Sequence, residues 1–141
     1  MHPANTLFPT PDAWYQHRVS YGETDAMGVV YYAEYLHFFE RARGQFIRER
    51  GMSYAEVERR GVLQPVVEAG CRYRISARYD DLLLVHVGIN EWKRASLRFV
   101  YEILDETRSK VLATGFTEHA CVSPQGKIVR VPDWLKQLFG A

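Results

Sequence analysis

The sequence predicts an α+β domain in which an antiparallel sheet wraps around one long central helix. One stretch repeats apolar residues at spacings of three and four, which is typical of a helix. A later stretch alternates in steps of two, and three more strand-like segments with short connectors follow it. A sheet with one apolar face must bury that face against another layer, and the long helix is the layer that the sequence offers.

The composition is that of one soluble domain. The chain has 141 residues, 47% of them hydrophobic, which is enough for a single core. Its 18 Lys and Arg residues nearly balance its 17 Asp and Glu residues, so no nucleic-acid partner is expected. Apolar runs stay well short of the ~20 residues that span a bilayer. We therefore expect a flexible leader over residues 1–12, one domain over 13–141, no integral membrane association and a cytoplasmic location.

The first half of the chain should hold a strand, a loop and the long helix. Residues 13–20 are of strand type, and residues 21–28 are rich in turn formers. The helix should run from about residue 31 to 50 and end at Gly51. Its predicted apolar stripe comprises Tyr32, Tyr35, Leu36, Phe39, Ala42 and Phe46, and its polar stripe comprises Glu34, His37, Arg41, Gln45 and Arg48.

The second half should hold a short helix, four strands and a terminal helix. Ser53 and Glu56 have the spacing of a capping box, and the helix that they start should stop near Gly61. Strands are predicted at 67–76, 82–91, 96–105 and 111–122, and the short connectors 92–95 and 106–110 favour antiparallel hairpins. In the first of these strands, one face should be buried: Val67, Ala69, Cys71, Tyr73 and Ile75. A helix should follow at 133–139.

The usual hydrolase and metal motifs are missing. The sequence has no GxSxG, HExxH, Walker or GxGxxG motif. Its histidines are scattered without metal-type spacing, so we expect each to be at the surface or partly buried: His2, His17, His37, His86 and His119. We expect no metal and no cofactor. Cys71 and Cys121 read as small buried hydrophobes in a reducing compartment, and a disulfide is the less favoured alternative.

Asp25 is the residue best placed for chemistry. It lies in a glycine-flanked loop just before the long helix, near free N–H groups and the positive end of the helix dipole. Position alone favours a simpler interpretation, in which Asp25 only stabilises the helix start. Glu23 could serve the same purpose.

Residues 21–35, YGETDAMGVVYYAEY, resemble the active-site loop and helix start of hotdog thioesterases of the 4-hydroxybenzoyl-CoA thioesterase type. The related Tol-Pal-associated acyl-CoA thioesterases share this motif. Residues 77–82, ARYDDL, and residues 91–96, EWKRAS, fit the same family, so the resemblance covers about residues 14–131. It implies a hotdog fold and an acyl-CoA thioesterase.

The resemblance also implies roles for individual residues. Asp25 would be the nucleophile or the general base, and the backbone N–H near Tyr32 would polarise the thioester carbonyl. Tyr21 would orient Asp25 or bind substrate, whereas its position alone favours an aromatic at a strand end that packs on the helix. Position 32 is commonly histidine in the Tol-Pal branch, so Tyr32 agrees with the aromatic-acyl branch and favours an aryl or short acyl-CoA.

In relatives, the hairpin that corresponds to residues 92–96 lies near the coenzyme A nucleotide. Lys93 and Arg94 would then pair with phosphates, and Ser96 would donate a hydrogen bond. Ala95 departs from the basic residue that some relatives carry there, and a solvated hairpin tip is the alternative. Hotdog relatives also bury their sheet edges in homo-oligomers, which implies a dimer or a homotetramer.

Two other functions compete with hydrolysis. A noncatalytic hotdog module could bind acyl-CoA as a sensor or an assembly subunit, but binding alone has no need of a carboxylate beside the carbonyl. Hotdog dehydratases need a histidine paired with a carboxylate at the loop and helix, and we expect no such histidine here.

Overall fold

The structure, a computed structural model, describes residues 7–141. The elements in chain order are β1 (Asp12–Arg18), a 3-10 turn (Tyr21–Glu23), α1 (Glu34–Glu49), α2 (Tyr54–Arg59), β2 (Val66–Tyr73), β3 (Leu82–Trp92), β4 (Ser96–Leu104), β5 (Val111–Ala120) and α3 (Asp133–Leu138). The predicted α+β class is confirmed, because one antiparallel sheet packs against one long helix. None of the helices in residues 7–141 has the length and apolarity that crossing a membrane requires.

The sheet has five strands in the order β1-β3-β4-β5-β2. Strands β3, β4 and β5 form the meander that the short connectors predict. Strand β2 pairs with β5 and not with its successor β3, whose other side is already occupied by β1. Between β2 and β3 the chain therefore crosses from one edge of the sheet to the second strand from the other edge, and β1 and β2 are the two edge strands.

Helix α1 is shorter than predicted and buries a somewhat different face. It begins at Glu34, so its 16 residues span about 24 Å. Tyr32 precedes it and is 61% exposed, and Leu36 is 42% exposed, so both were wrongly assigned to the apolar stripe. The residues that it buries are Tyr35, Phe38, Phe39, Ala42, Arg43, Phe46 and Ile47.

The buried face predicted for β2 is wrong. Val67 is 59% exposed, Tyr73 46% and Ile75 45%, and only Cys71 of the predicted set packs partly against the core. Edge position explains the difference, because the core forms between α1 and the central strands and β2 has a neighbour on one side only.

Helix α1 rests directly on the sheet at Gly115. The ring of Phe39 stacks on Tyr101 at a centroid distance of 4.2 Å and lies over Gly115 in β5. A Cβ atom at Gly115 would lie 2.5 Å from Phe39 Cε2 and 2.6 Å from the backbone oxygen of Gly70. Neither contact is sterically possible, so glycine sets how closely the helix and sheet approach.

The helix termini agree with the sequence in part. Gly51 follows α1 with φ of +92°, as predicted for a left-handed cap. The Ser53 hydroxyl accepts a hydrogen bond from the Glu56 N–H at 3.2 Å. The second half of the predicted capping box is not formed, because the Glu56 carboxylate turns to Arg59 and Arg60 instead.

Two histidines are fully buried, which corrects the expectation of surface or partly buried positions. His86 is 3% exposed, and its ring nitrogens contact the carboxylates of Asp12 and Glu102. Phe8 stacks on one face of the ring at 3.7 Å. His119 is also 3% exposed. Residues 1–6 of the predicted leader and His2 lie outside the described residues, whereas residue 12 already belongs to β1.

The contact at Gly115 makes a prediction for stability. Gly115→Ala should lower the free energy of unfolding by about 2 kcal/mol, because the methyl group overpacks the Phe39 contact and meets rigid backbone at Gly70. Urea unfolding measures the change. Gly22→Ala is the matched control, since a Cβ there has no atom within 4 Å. Equal stabilities for the two variants would contradict this account of the helix–sheet contact.

Candidate active site

The loop between β1 and α1 contains a tight turn over residues 25–28. The Gly28 N–H donates to the Asp25 carbonyl at 2.9 Å, and the Asp25 N–H donates to the Val29 carbonyl at 2.8 Å. Gly28 has φ of +81°, a conformation that other residues rarely adopt. The glycine therefore allows the chain to reverse immediately after Asp25.

The Asp25 carboxylate is held by one of its two oxygens. Oδ1 accepts hydrogen bonds from the Met27 N–H at 2.8 Å and the Val29 N–H at 3.4 Å. Within residues 7–141, no group donates a hydrogen bond to Oδ2. The side chain is half-buried and lines a cavity. Its orientation is thus fixed while one oxygen stays available to a ligand.

Backbone pairing fixes both ends of this loop. The Val30 N–H donates to the Ala77 carbonyl at 2.8 Å, and the Tyr31 N–H donates to the Glu23 carbonyl at 2.8 Å. Val29 also forms an isolated bridge with Arg78. Asp25 consequently sits on a braced segment between the end of β1 and the chain that leads into β3.

Glu23 anchors the loop with its side chain as well. Its buried carboxylate accepts from the Ser20 N–H at 2.8 Å and contacts His17 Nε2 at 2.8 Å, and Arg41 lies at 3.5 Å. Burial raises the pKa of Glu23, but the Ser20 N–H and His17 oppose it, and the pKa falls below its ordinary value. Glu23 is therefore ionised in the folded protein at neutral pH.

The pairing of His17 with Glu23 corrects the expectation that no histidine meets a carboxylate at this loop. Their side chains are about nine-tenths buried. Neither residue lines the cavity at Asp25, and no histidine does so in the described part of the chain. The pair braces the loop and does not face the cavity.

The cavity has a volume of about 240 Å³ and lies among the loop, the start of α1 and the end of β2. Asp25 and Met27 line it from the loop, and Tyr32 and Tyr35 line it from the helix start. Residues 73–76 close the remaining side. Its walls are mostly aromatic and aliphatic, with a carboxylate at one point and the Arg74 side chain at another.

The peptide groups at the start of α1 supply free donors to this region. For the N–H groups of Tyr32 and Ala33, the described chain offers no acceptor within hydrogen-bond distance. The Tyr73 hydroxyl donates to the Tyr32 carbonyl at 2.9 Å and so orients the Tyr32–Ala33 peptide. Burial raises the pKa of Tyr73, and neighbouring Cys71 adds to the effect, so its hydroxyl keeps the proton that it donates.

The other candidate residues lie away from the cavity. Tyr21 is 78% exposed, and its ring meets Tyr79 edge-on at 5.9 Å. Lys93 pairs with Glu118 at 3.4 Å in the turn between β3 and β4, which also holds Arg94 and ends at Ser96.

Strand register gives the separation between that turn and the cavity. Tyr73, which lines the cavity, pairs with Ala113, and Ala113 pairs with Ile103 of β4. The β3–β4 turn joins β4 at its opposite end, about 20 Å away at ~3.3 Å per residue. One chain alone therefore does not bring Lys93, Arg94 or Ser96 to Asp25.

Sequence reasoning missed the cavity wall at the end of β2, which comprises Tyr73, Arg74, Ile75 and Ser76. The alternating pattern assigned Tyr73 and Ile75 to the core and the other two to solvent. Strand β2 ends at Tyr73, so the alternation stops there and the next residues turn along the cavity. The contact of Tyr73 with Tyr32 spans 41 positions, and no local pattern signals it.

No group of three or more His, Cys, Asp or Glu side chains within residues 7–141 is arranged to hold a metal ion. The cavity instead brings together the fixed Asp25 carboxylate and Tyr32 at the start of the helix. This arrangement suits a ligand with an electrophilic carbonyl, whose oxygen gains negative charge when the carbon is attacked.

Comparison with known proteins gives consistent matches over most of the chain. Residues 19–139 match the thioesterase-like superfamily. The acyl-CoA thioesterase YbgC of Haemophilus influenzae is 36% identical over 124 residues, 86% of this chain and 90% of that one. The 1,4-dihydroxy-2-naphthoyl-CoA hydrolase of Thermosynechococcus vestitus is 30% identical over 134 residues, 91% of each chain. A crystal structure of a hypothetical protein from Aquifex aeolicus superposes with a TM-score of 0.85 at 33% identity, covering 90% of this chain and 98% of that one.

The anchoring role of Glu23 predicts a pH-dependent contribution to stability. Glu23→Gln should lower the free energy of unfolding by about 1–3 kcal/mol at pH 7, because the buried N–H and imidazole lose a charged acceptor. The folded-state pKa of Glu23 is lowered, so its contribution is complete above the ordinary value of 4.5 and is lost as pH falls through the folded pKa. Urea unfolding at pH 7 and pH 3 compares the two proteins.

Glu106→Gln is the control, because it removes one carboxylate from an exposed position and so shows the effect of losing a negative charge alone. Its stability should follow that of the wild type at both pH values. A Glu23→Gln deficit that is equally large at pH 7 and pH 3 would contradict the ionised anchor.

Proposed function

Because this chain belongs to the thioesterase-like superfamily and has the hotdog fold, we propose that it hydrolyses an aryl or other compact acyl-CoA to the free acid and CoA, with Asp25 as its catalytic carboxylate. The enzyme is an acyl-CoA thioesterase, as its relatives are. One observation carries the residue assignment. Asp25 keeps one oxygen free in the same cavity that the helix start lines with Tyr32.

Two chemical routes are open to Asp25. As a nucleophile, Oδ2 attacks the thioester carbon, the CoA thiolate leaves, and water then hydrolyses the resulting mixed anhydride. As a general base, the carboxylate takes a proton from a water molecule that attacks the same carbon. In both routes the hydrogen bonds from Met27 and Val29 to Oδ1 hold the carboxylate in place.

The oxyanion formed in either route would be stabilised by the free N–H groups near Tyr32. These N–H groups lie at the positive end of α1, and within residues 7–141 they donate to no other backbone group, so they are free to donate to the oxyanion. Loss of one donor of this kind reduces transition-state stabilisation by roughly 3 kcal/mol. The Tyr73 hydroxyl supports the role by fixing the Tyr32 carbonyl.

Coenzyme A binding would require a second copy of the chain. The outer edge of β2 has no partner within residues 7–141 and carries exposed apolar side chains. Two such edges that pair about a two-fold axis run antiparallel, which sets the end of one β2 beside the start of the other. The β3–β4 turn of the second copy would then approach the cavity. This turn carries Lys93, Arg94 and Ser96, which could contact the phosphates of a bound coenzyme A. We propose a homo-oligomer, a dimer or a homotetramer, on this ground.

The acyl group should be compact. Three tyrosines, Tyr32, Tyr35 and Tyr73, bound a cavity of about 240 Å³, and aromatic walls stack well on aromatic acyl groups. The relative from T. vestitus is named for a naphthoyl-CoA substrate. Tyr21 neither contacts Asp25 nor lines the cavity, so the structure supports neither of its two suggested roles.

A cytoplasmic location is proposed from the cysteines. Cys71 and Cys121 are both free thiols. Reduced cysteines are typical of reducing compartments.

The substrate proposal predicts the outcome of a thiol-release assay. Values of kcat/KM should rise from acetyl-CoA to benzoyl-CoA and 4-hydroxybenzoyl-CoA and should fall for palmitoyl-CoA. A long apolar tunnel would instead add about 0.8 kcal/mol of binding per methylene, so efficiency would climb steadily to palmitoyl. Binding of acyl-CoA without any thiol release would favour the noncatalytic module.

The assembly proposal predicts that a charge on β2 weakens the oligomer. The wild type should scatter light as a dimer or tetramer at micromolar concentration. Val67→Lys places a charge on the exposed edge and should shift the protein toward monomer, with a rise in KM for acyl-CoA. Ile128→Lys, at a position that is 73% exposed outside β2, is the control and should leave the assembly unchanged. A wild-type monomer at micromolar concentration would refute the proposal.

A further inference from the structure

One wall of the cavity at Asp25 carries a cation. Arg74 follows the end of β2 and, in the described part of the chain, is the one basic residue that lines this cavity. Its N–H donates to the Leu112 carbonyl at 2.9 Å, which fixes its backbone at the cavity wall. The residue is exposed, so its guanidinium is accessible to a ligand.

The guanidinium of Arg74 is unpaired. Within residues 7–141, no carboxylate lies within 4.0 Å of it and no group accepts a hydrogen bond from it. The carboxylate of Asp25 lines the same cavity, yet the two charges do not form an ion pair. The cavity therefore presents a negative group and a positive group at separate points, and one ligand can contact both.

Ser76 adds a second free donor to the same wall. It lies two residues after Arg74, is exposed and lines the cavity. Its hydroxyl forms no hydrogen bond in the part of the chain that the structure describes. A guanidinium can donate two parallel N–H groups to one carboxylate, and a hydroxyl can donate to a remaining lone pair. Asp25 apart, the other lining side chains are aromatic, aliphatic or thioether groups without charge.

We propose that Arg74 and Ser76 select an acyl group that carries a second carboxylate, at the end away from the thioester. This inference rests on the proposed function, because that function places the thioester carbonyl at Asp25 and Tyr32. Asp25 would repel a carboxylate on the acyl group, whereas Arg74 offsets the repulsion and forms a charge-assisted pair with it. An aromatic ring between the thioester and the second carboxylate would contact the tyrosine walls of the cavity.

The phosphates of coenzyme A are the other anionic groups of the substrate. The pantetheine arm separates them from the thioester, and a cavity of about 240 Å³ has no room for both an acyl group and the whole arm. Arg74 lines the cavity that would hold the thioester, so it lies closer to the reacting carbon than the phosphates do. The acyl carboxylate is therefore the group that Arg74 is placed to bind.

Calorimetric binding to the Asp25→Asn variant tests the proposal without turnover. The probes are benzoyl-CoA and 4-carboxybenzoyl-CoA, which differ only in the second carboxylate. The Kd of 4-carboxybenzoyl-CoA should be at least about tenfold lower, because a charge-assisted hydrogen bond is stronger than a neutral one. Adding Arg74→Met to this background should abolish the tenfold preference, since methionine keeps the apolar stem and removes the charge.

Arg72→Met is the matched control, because Arg72 is an exposed arginine of β2 that does not line the cavity. It should keep the preference for the second carboxylate. Ser76→Ala should reduce the preference less than Arg74→Met does, because it removes one neutral donor. Absence of saturable binding, equal Kd values for the two probes, or a loss on adding Arg74→Met that is the same for both probes would overturn the proposal. The last result would assign Arg74 to a coenzyme A phosphate instead.

Thiol release by the wild type separates this inference from the proposed function. The kcat/KM for 4-carboxybenzoyl-CoA should exceed that for benzoyl-CoA by at least about tenfold. Hydrolysis of both probes without a preference would keep the proposed function and overturn selection by Arg74. Preferential binding of 4-carboxybenzoyl-CoA with no thiol release from either probe would overturn the proposed function and keep the selection.

Discussion

The buried Glu23 is the constraint on which the site depends, because it holds the loop at two points. Its carboxylate binds the Ser20 N–H and His17 at the end of β1. Its carbonyl accepts from the Tyr31 N–H at the start of α1. Asp25 follows two residues later, and Tyr32 follows the anchored Tyr31, so one residue positions both Asp25 and Tyr32, which line the same cavity. An ionised, desolvated carboxylate with several donors gives a geometry that a solvent-exposed loop could not keep.

Helix α1 organises the rest of the molecule around its contact with the sheet. The close approach at Gly115 seats Phe39 on the central strands. The cavity that Asp25 and Tyr32 line lies at its N-terminal end. Farther along the helix, Arg43 is buried and donates to the Tyr101 hydroxyl at 3.1 Å, which adds a polar contact between helix and sheet.

Local patterns were enough to predict the central strands and the short helices, because alternation, turn residues and caps act over a few positions. The buried face of β2 could not be predicted, since Val67 is exposed only because β2 lies at an edge, and edge position follows from long-range pairing. At the site, the loop motif indicated Asp25 and Tyr32. Tyr73 escaped detection, because it acts through a contact with Tyr32 that spans 41 positions of the chain.

The central claim is that the Asp25 carboxylate performs the hydrolysis, and steady-state thiol release by Asp25→Asn tests it most directly. Asparagine keeps the Oδ1 acceptor for the Met27 N–H, so the loop and the thermal unfolding of the protein should be preserved. Asp133→Asn, an exposed position at the start of α3, is the control and should retain wild-type turnover. We predict that kcat for Asp25→Asn falls by about 10²–10⁴-fold. A folded Asp25→Asn variant with near-wild-type kcat would contradict the account.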